Sequence, residues 1–517
     1  MRIFIKGLVP KWQLSASQLI RLFFTSAELE FASEEAEETD ADLSVYVRIL
    51  APANESIKAQ VTLKDLSNGQ TLIREHSGSP DELEDDAIGM KDPVKPIVFV
   101  ALLQALQDYT EKVQPWGILT GIRPTKLFHR GKLAGQSDDQ IRQELERRYM
   151  IRKDKLDLMQ TIVARQLKAL PDLYRLKHEV SIYIGIPFCP TKCAYCTFPA
   201  YAIGSARSSV DGFLTGLYYE MEQVGEWLKQ NGIGITTIYF GGGTPTSISA
   251  DQMDQLYTHM RKVFPRLERV REITVEAGRP DTITREKLEV IRRHGIDRIS
   301  INPQSYIQET LRTIGRHHTV EETVEKFWLA REMGLDNINM DLIIGLPGEG
   351  VKEFQYTLQR TAELMPESLT IHTLSFKRAS EMTRNKTSYD VADTREVEAM
   401  VEMASQWTKV HGYNPYYLYR QKNILGNLEN VGYAQPGKES LYNVIIMEEM
   451  QTIIGLGSGA ASKWVDPESG KITRFANPKD PYSYNATFKK CTEAKIAQLE
   501  RLYGSLSHMD ESLSRVK

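Results

Sequence analysis

"SIYIGIPFCPTKCAYCTF", residues 181–198, decides how the chain folds. Its opening run, "SIYIGI", reads as a short β-branched strand. The strand runs straight into a loop holding Cys189, Cys193 and Cys196, three of the chain's four cysteines. Working outward, similar runs recur at "TTIYFGGG" (236–243), "EITVEA" (272–277), "DRISINP" (297–303), "NINMDLIIGLP" (337–347) and "SLTIHTLSF" (368–376). Helical stretches lie between them, such as "SADQMDQLYTHMRKVF" (249–264) and "TREKLEVIRRHG" (284–295). Six βα units in series predict parallel strands, right-handed crossovers and a closed or partly closed α/β barrel. Six is short of the eight of a complete barrel, and an open barrel leaves a lateral gap for a large substrate.

The flanks differ in pattern. Residues 1–80 are strand-rich: "MRIFIKGL" alternates, and "LSVYVRIL" (43–50), "SIKAQVTL" (56–63) and "QTLIREH" (70–76) predict a meander turning at Asn68-Gly69. The acidic segment 28–42 is expected to be a solvated loop. Residues 93–175 are helical, with Ser137 as an N-cap. Between those helices "GILTGIRPTKL" (117–127) reads as a packed loop, with Arg123 and Lys126 as its basic groups. From about 385 onward a separate region mixes a helix, the aromatic strand "YNPYYLYRQ", the Gly-rich "IIGLGSGAAS" (453–462) and a helical tail. The expected domains are an α+β accessory domain at 1–175, a partial (β/α)6 barrel at 176–384, and a mixed α/β substrate-covering region at 385–517.

Composition narrows the class. The chain has 517 residues, enough for two or three domains, and 41% of them are apolar, too many for general disorder. A net charge of −4 gives no basic field for nucleic acid or an anionic membrane. The longest apolar run, "IVFVALL" (97–103), is too short to span a bilayer. No secretory signal is read at the start, and three clustered cysteines do not make a disulfide framework. A reducing cytoplasm is expected.

Three soft thiolates on one loop admit several chemistries. Structural zinc wants four ligands, and Cys491, about 300 residues away, reads as a buried small hydrophobe. A redox disulfide between Cys193 and Cys196 leaves Cys189 unexplained. Three thiolates suit a [4Fe–4S] cluster with one iron open. That iron can chelate an amine and a carboxylate, and S-adenosylmethionine (SAM) carries both.

The CxxxCxYC pattern at the end of a first barrel strand resembles the signature of the radical SAM superfamily, over residues 181–376 and on to about 465. The resemblance implies that the reduced cluster donates an electron to the sulfonium of SAM. A 5′-deoxyadenosyl radical then takes a hydrogen atom from the substrate. "GGGTP" (241–245) alone would be a turn; here Gly242, Gly243 and Thr244 resemble the segment at the amino end of SAM. Glu276 ends the third strand, where a carboxylate can accept hydrogen bonds from ribose hydroxyls. Tyr183, otherwise a core residue, is placed against SAM by the resemblance.

Within the superfamily, "YIGIPFCPTKCAYC", "YFGGGTPT", "SINPQS", "LRTIGRHH", "MDLIIGLPGE" and "GLGSGAAS" resemble the oxygen-independent coproporphyrinogen III oxidase group. That implies oxidative decarboxylation of coproporphyrinogen III to protoporphyrinogen IX by a monomer served by an unidentified electron donor. It also implies room for a second SAM at Tyr195, Gly243, Thr244, Gln304, Arg316, Asp341 and Ser375; whether one SAM or two bind stays open. No catalytic residue is expected beyond the cluster and SAM sites. Two departures stand out. Phe198 stands where the group's dehydrogenases carry a further cysteine, which the related heme chaperones also lack. Those chaperones carry an HNxxYW motif, however, and here "LYNVIIMEE" (441–449) puts Tyr442 in place of the heme-ligand histidine. Residues 1–175 resemble a longer branch of the group. A heme-binding carrier and a radical reaction on another large substrate are the alternatives. His317, His318 and His372 read as structural.

Overall fold

The structure, a computed structural model, describes every residue except 34–40, 51–55, 79–91, 93, 121–122, 198–199, 204–208, 377–379, 385–388, 422–423 and 515–517. The chain forms two compact units: Met1–Val163 with Leu418–Glu429, and Ala164–Tyr417 with Asn430–Lys517. The first unit therefore ends at Val163, not at 175, and it takes in a late segment that the sequence pattern assigns to the C-terminal region.

In the first unit a five-stranded sheet runs Glu28–Ala32, Arg2–Lys6, Leu43–Leu50, Ile57–Asp65, Thr71–Gly78. The last three form the expected antiparallel meander, and Gly69 takes the left-handed conformation at its tight turn (φ 75°). The start of the acidic segment is not a loop. "ELEFA" alternates, and it pairs in parallel with Arg2–Lys6 as an edge strand. The helix Val94–Thr110 buries Ile97, Val98, Ala101 and Leu102, and the sheet buries Val45, Val47, Val61 and Leu63. Ser137 and Gln140 form a capping box on Asp138–Tyr149. Lys126, expected in a loop, lies in the first turn of the helix Thr125–Leu133.

The segment Leu418–Glu429 joins this unit through buried polar contacts. The Glu429 carboxylate accepts from Trp116 Nε1 at 2.7 Å and from Lys155 Nζ at 2.5 Å. Arg420 donates to the Leu119 carbonyl at 2.6 Å and lies 5.1 Å over the Trp116 ring. Each ion finds a partner here, without which burial would cost several kcal/mol (on the order of 3–5).

The second unit is built on the six strands read from the sequence: β1 (Glu179–Ile186), β2 (Gly234–Gly242), β3 (Glu272–Glu276), β4 (Arg298–Ser300), β5 (Ile338–Ile344) and β6 (Ser368–Thr373). All neighbours among them pair in parallel, in chain order. Later strands extend the sheet: β7 (Asn414–Tyr419), β8 (Asn430–Ala434), β9 (Thr452–Gly457), β10 (Ala461–Val465) and β11 (Ile472–Ala476). The full order is β7-β8-β6-β5-β4-β3-β2-β1-β9-β10-β11, an open sheet.

Residues from 385 onward are thus not set apart from the barrel: β9 pairs in parallel with β1, and β8 pairs antiparallel with β6. Both edges of the six-stranded core would otherwise present unpaired backbone groups. Close backbone approach explains the glycines of β9. A Cβ on Gly455 would lie 2.7 Å from the Ala461 carbonyl carbon, and one on Gly457 (φ 86°) would lie 2.4 Å from the Gly185 oxygen.

The helices of this unit include α1 (Val210–Gln230), α2 (Leu441–Glu448) and α3 (Pro481–Ser514). Glu220 of α1 and Lys495 of α3 form an ion pair with both side chains 0% exposed. The same carboxylate accepts from the Gly457 amide at 2.7 Å, Tyr484 Oη at 2.8 Å and Asn477 Nδ2 at 3.1 Å. At α2 the Glu272 carboxylate caps the helix start, accepting from Ser440 Oγ at 2.8 Å and the Leu441 amide at 2.7 Å.

Candidate active site

The cysteine loop leaves β1 at Ile186 and is fastened from three sides. The Gly243 and Thr244 amides donate to the carbonyls of Ile186 and Phe188, at 2.8 and 2.7 Å. The Ala194 amide donates to the Ile314 carbonyl at 3.0 Å, and Thr191 Oγ1 to the Gly315 carbonyl at 3.1 Å. Phe188–Cys189 pairs with Tyr201–Ala202. The glycines after β2 are required by this closeness. A Cβ on Gly242 (φ 113°) would lie 2.8 Å from the Ile186 oxygen; one on Gly243 would lie 2.5 Å from the Phe188 oxygen and 3.1 Å from Cys189 Sγ.

All four cysteines are free thiols. Cys189 Sγ lies 3.2 Å from Thr244 Oγ1. Burial pushes the Cys189 thiol up to about 11, against the Thr244 hydrogen bond. It therefore stays protonated at neutral pH until a metal displaces the proton. Cys491 is buried in α3, as expected of a small hydrophobe.

Two arginines converge on Cys193. Arg279 Nη1 donates to its sulfur at 3.5 Å while Nε and Nη2 grip Asp281. Arg316 also acts through its charge on Cys193 and on the Tyr195 phenol. Its Nη1 donates to the carbonyls of Asn302, at 2.7 Å, and Gly278, at 3.2 Å. His318 is buried beside them. Burial and the Arg316 charge push its imidazole down to about 3, so it is neutral.

The interior of the strands carries a second polar group. Glu276, at the end of β3, accepts from Tyr239 Oη at 2.5 Å. Burial pushes the Glu276 carboxyl up to about 7, against that hydrogen bond, with the Asp341 charge adding to the rise. Tyr183, Tyr239 and Tyr442 stack beneath it, with centroids 4.4 Å apart for Tyr239–Tyr442 and 6.1 Å for Tyr183–Tyr239. Asp341 accepts from Asn302 Nδ2 at 2.9 Å and Asn339 Nδ2 at 2.8 Å, with His372 Nε2 3.6 Å away. Burial alone would raise its carboxyl; the His372 contact, with the Asn339 and Thr370 hydrogen bonds, outweighs burial and holds it below the ordinary value.

Glu276 should make the stability of the ligand-free protein depend on pH. The folded state holds a proton on Glu276 that the unfolded chain, near 4.5, releases earlier. The folded pKa is raised, so this stability is complete below 4.5 and is lost as pH rises through about 7. Unfolding in urea at pH 5 and pH 8 measures it. Glu276→Gln should flatten the difference by on the order of 3 kcal/mol; an equal pH dependence in both proteins would refute it.

Most of the residues named from the sequence come together at or near the C-terminal ends of the strands. The cysteines, Gly242–Thr244, Tyr195 and Arg316 form one group; Glu276, Asp341 and Tyr183 lie along the strands. Gln304 is stitched to β5, its amide donating to the Asp341 carbonyl at 2.9 Å and its own carbonyl accepting from the Ile343 amide at 2.9 Å. It does so in the left-handed region, at φ 66°. Ser375 is buried just beyond β6. Phe198 lies outside the described residues. Tyr442 joins the tyrosine stack, and its hydroxyl has no partner among the described residues. Sequence reasoning missed Arg279 and Asp281, whose "GRPD" context reads as a turn.

The donor set fits an iron–sulfur cluster with SAM. Among the described residues no three His, Cys, Asp or Glu side chains are grouped to hold a single ion. A cluster spreads its irons and asks for thiolates farther apart than one zinc does. Nearby, Ser300 Oγ, Arg316 Nε and both His318 ring nitrogens are buried without partners among the described residues, as suits a site completed by a polar ligand.

A model of the Radical SAM superfamily matches residues 183–361. The chain is 58% identical over 487 residues to the "oxygen-independent coproporphyrinogen-III oxidase-like protein HemZ" of Bacillus subtilis, covering 94% of this chain and 95% of that one. It is 31% identical over 282 residues to the heme chaperone HemW of the same organism, covering 54% of this chain and 70% of that one. The structure of Escherichia coli coproporphyrinogen III oxidase (HemN), described as a radical SAM enzyme, shares the fold with a TM-score of 0.50 at 22% identity, covering 63% of this chain and 73% of that one. Among the described residues no helix is long and apolar enough to cross a membrane.

Proposed function

The chain belongs to the radical SAM superfamily, in the oxygen-independent coproporphyrinogen-III oxidase-like group, and from that membership we propose that it oxidatively decarboxylates coproporphyrinogen III to protoporphyrinogen IX. As a member it works with a [4Fe–4S] cluster and SAM, which together supply hydrogen-atom abstraction from an unactivated carbon. Each of two propionate side chains would lose a hydrogen atom from its β carbon to the radical chemistry of SAM, then CO2, and one electron to a separate one-electron acceptor, to become a vinyl group. The observation that carries this reading is the likeness to the HemZ protein along nearly the whole chain, 94% of it.

Cys189, Cys193 and Cys196 would hold the cluster. Gly242, Gly243 and Thr244 would meet the amino end of SAM, Glu276 its ribose, and Tyr183 its flank. Tyr195, Gln304, Arg316, Asp341 and Ser375 would line the remaining polar space, Arg316 answering a carboxylate. The unit Met1–Val163 with Leu418–Glu429 would serve as an accessory domain, and the later part of the second unit, from Asn430, would cover the substrate. The protein would act as a cytoplasmic monomer reduced by a separate electron donor.

The test is anaerobic: reconstituted protein, reductant, SAM and coproporphyrinogen III. Vinyl products in step with SAM consumption are expected. SAM cleavage with no vinyl product would sink the substrate while leaving the radical chemistry. Heme carriage, suggested by the HemW relative, predicts a tight stoichiometric Soret shift on heme titration. With Tyr442 in the tyrosine stack and no histidine at that position, weak binding is expected.

A further inference from the structure

Arg279 is a charged side chain almost wholly withdrawn from water, at 3% exposure. Its guanidinium is divided among three partner residues. Nε and Nη2 reach the two carboxylate oxygens of Asp281, at 3.0 and 2.8 Å. Nη1 reaches Cys193 Sγ at 3.5 Å and Thr191 Oγ1 at 3.1 Å. Because the guanidinium is planar and rigid, a carboxylate gripping one edge fixes where the other edge points. The turn is itself fastened, since Thr282 Oγ1 donates to the Arg279 carbonyl at 2.7 Å. The loop after β3 is therefore built to aim one cationic N–H at one sulfur.

The cysteines are not served equally. Cys193 draws two guanidinium groups, Arg279 and Arg316, whereas Cys189 has a neutral hydroxyl, that of Thr244, at its sulfur. An iron–sulfur cluster gains a negative charge when it takes up an electron. A cation hydrogen-bonded to a ligating sulfur stabilises that reduced state more than the oxidised one. Burial strengthens the effect by lowering the local dielectric.

We infer that Arg279, aimed by Asp281, is a positioning residue that raises the reduction potential of the cluster held at Cys193. The inference rests on the iron–sulfur reading of the cysteine loop, and its test separates the two. Full-length protein is reconstituted anaerobically, assayed for iron and sulfide, and titrated with dithionite without SAM, the one-electron uptake being followed by visible absorption and electron paramagnetic resonance. Arg279→Gln should load as wild type does, with a midpoint shifted to more negative potential. Arg279→Lys, which keeps the charge without the fork, should shift less in the same direction. Asp281→Asn, which keeps an acceptor and removes the counter-charge, should shift to more positive potential.

A fully loaded Arg279→Gln protein with an unmoved or more positive midpoint overturns the inference. If Arg279→Gln does not load, Asp281→Asn decides, and an unmoved or more negative midpoint overturns it. Failure of both to load would make the pair a scaffold for the loop and would also overturn it. Wild-type protein that takes up no cluster would instead sink the iron–sulfur reading, and this inference with it.

Discussion

Replacing Cys193 with alanine should abolish the visible iron–sulfur absorption of anaerobically reconstituted protein and all SAM cleavage with it. The same holds for Cys189→Ala and Cys196→Ala, because three thiolates are the fewest that hold a cluster with one iron left open. The Cys193 variant should be the most disruptive of the three. Its loss removes from Arg279 an acceptor that lies at 3.5 Å, while Asp281 and Thr191 still hold the guanidinium. The cost is that of one charge-assisted hydrogen bond, about 1.5–3 kcal/mol. Cys491→Ala should load normally, since its sulfur sits in α3, away from the loop. Iron and sulfide analysis of the four proteins decides the matter. A cluster lost from Cys491→Ala, or kept in full by any of the other three, would contradict the open-iron assignment.

The second large effect concerns stability. Lys495→Met should destabilise the second unit by about 3–5 kcal/mol, the usual cost of breaking a wholly buried ion pair. The Glu220 carboxylate would keep Tyr484, Asn477 and the Gly457 amide, but these are dipoles and cannot neutralise it. Adding Glu220→Gln to that variant should recover part of the loss, because it removes the stranded charge. Urea unfolding at constant denaturant slope measures both. A single-variant loss under about 1 kcal/mol would show that water reaches the carboxylate after all.

The six barrel strands were legible because each is a β-branched run bounded by a helical pattern. Strand β9 was not. Its run read only as a Gly-rich segment, yet Gly455 and Gly457 are there because neighbouring backbone passes too close for a side chain. The edge strand "ELEFA" was masked by the acidic run around it. At the site, the three cysteines stood out by their spacing, whereas Gly242–Thr244 read by itself as a turn and drew its expected role only from the family resemblance. The left-handed Gln304 was not, because nothing in its residue type announces φ 66°. Arg279 and Asp281 stand two apart in a turn-like "GRPD", and only the fold shows that one aims the other. Tyr442 was read by position as a replaced ligand; its stacking on Tyr239 could not be seen without the strand it faces.

The reach of Glu429 back to Lys155 spans 274 residues, and it sets a schedule for the chain as it leaves the ribosome. At a synthesis rate of roughly 5–20 residues per second, the Lys155 ammonium waits on the order of tens of seconds for its counter-ion. Strand β1 waits as long for β9, so neither unit can finish before the other has been largely translated. A nascent chain stalled before residue 418 would carry a charged, incomplete first unit and a bare strand edge in the second. Fragments ending there should be prime clients for chaperones and proteases, and expressing either unit alone by a single cut would reproduce the same defect.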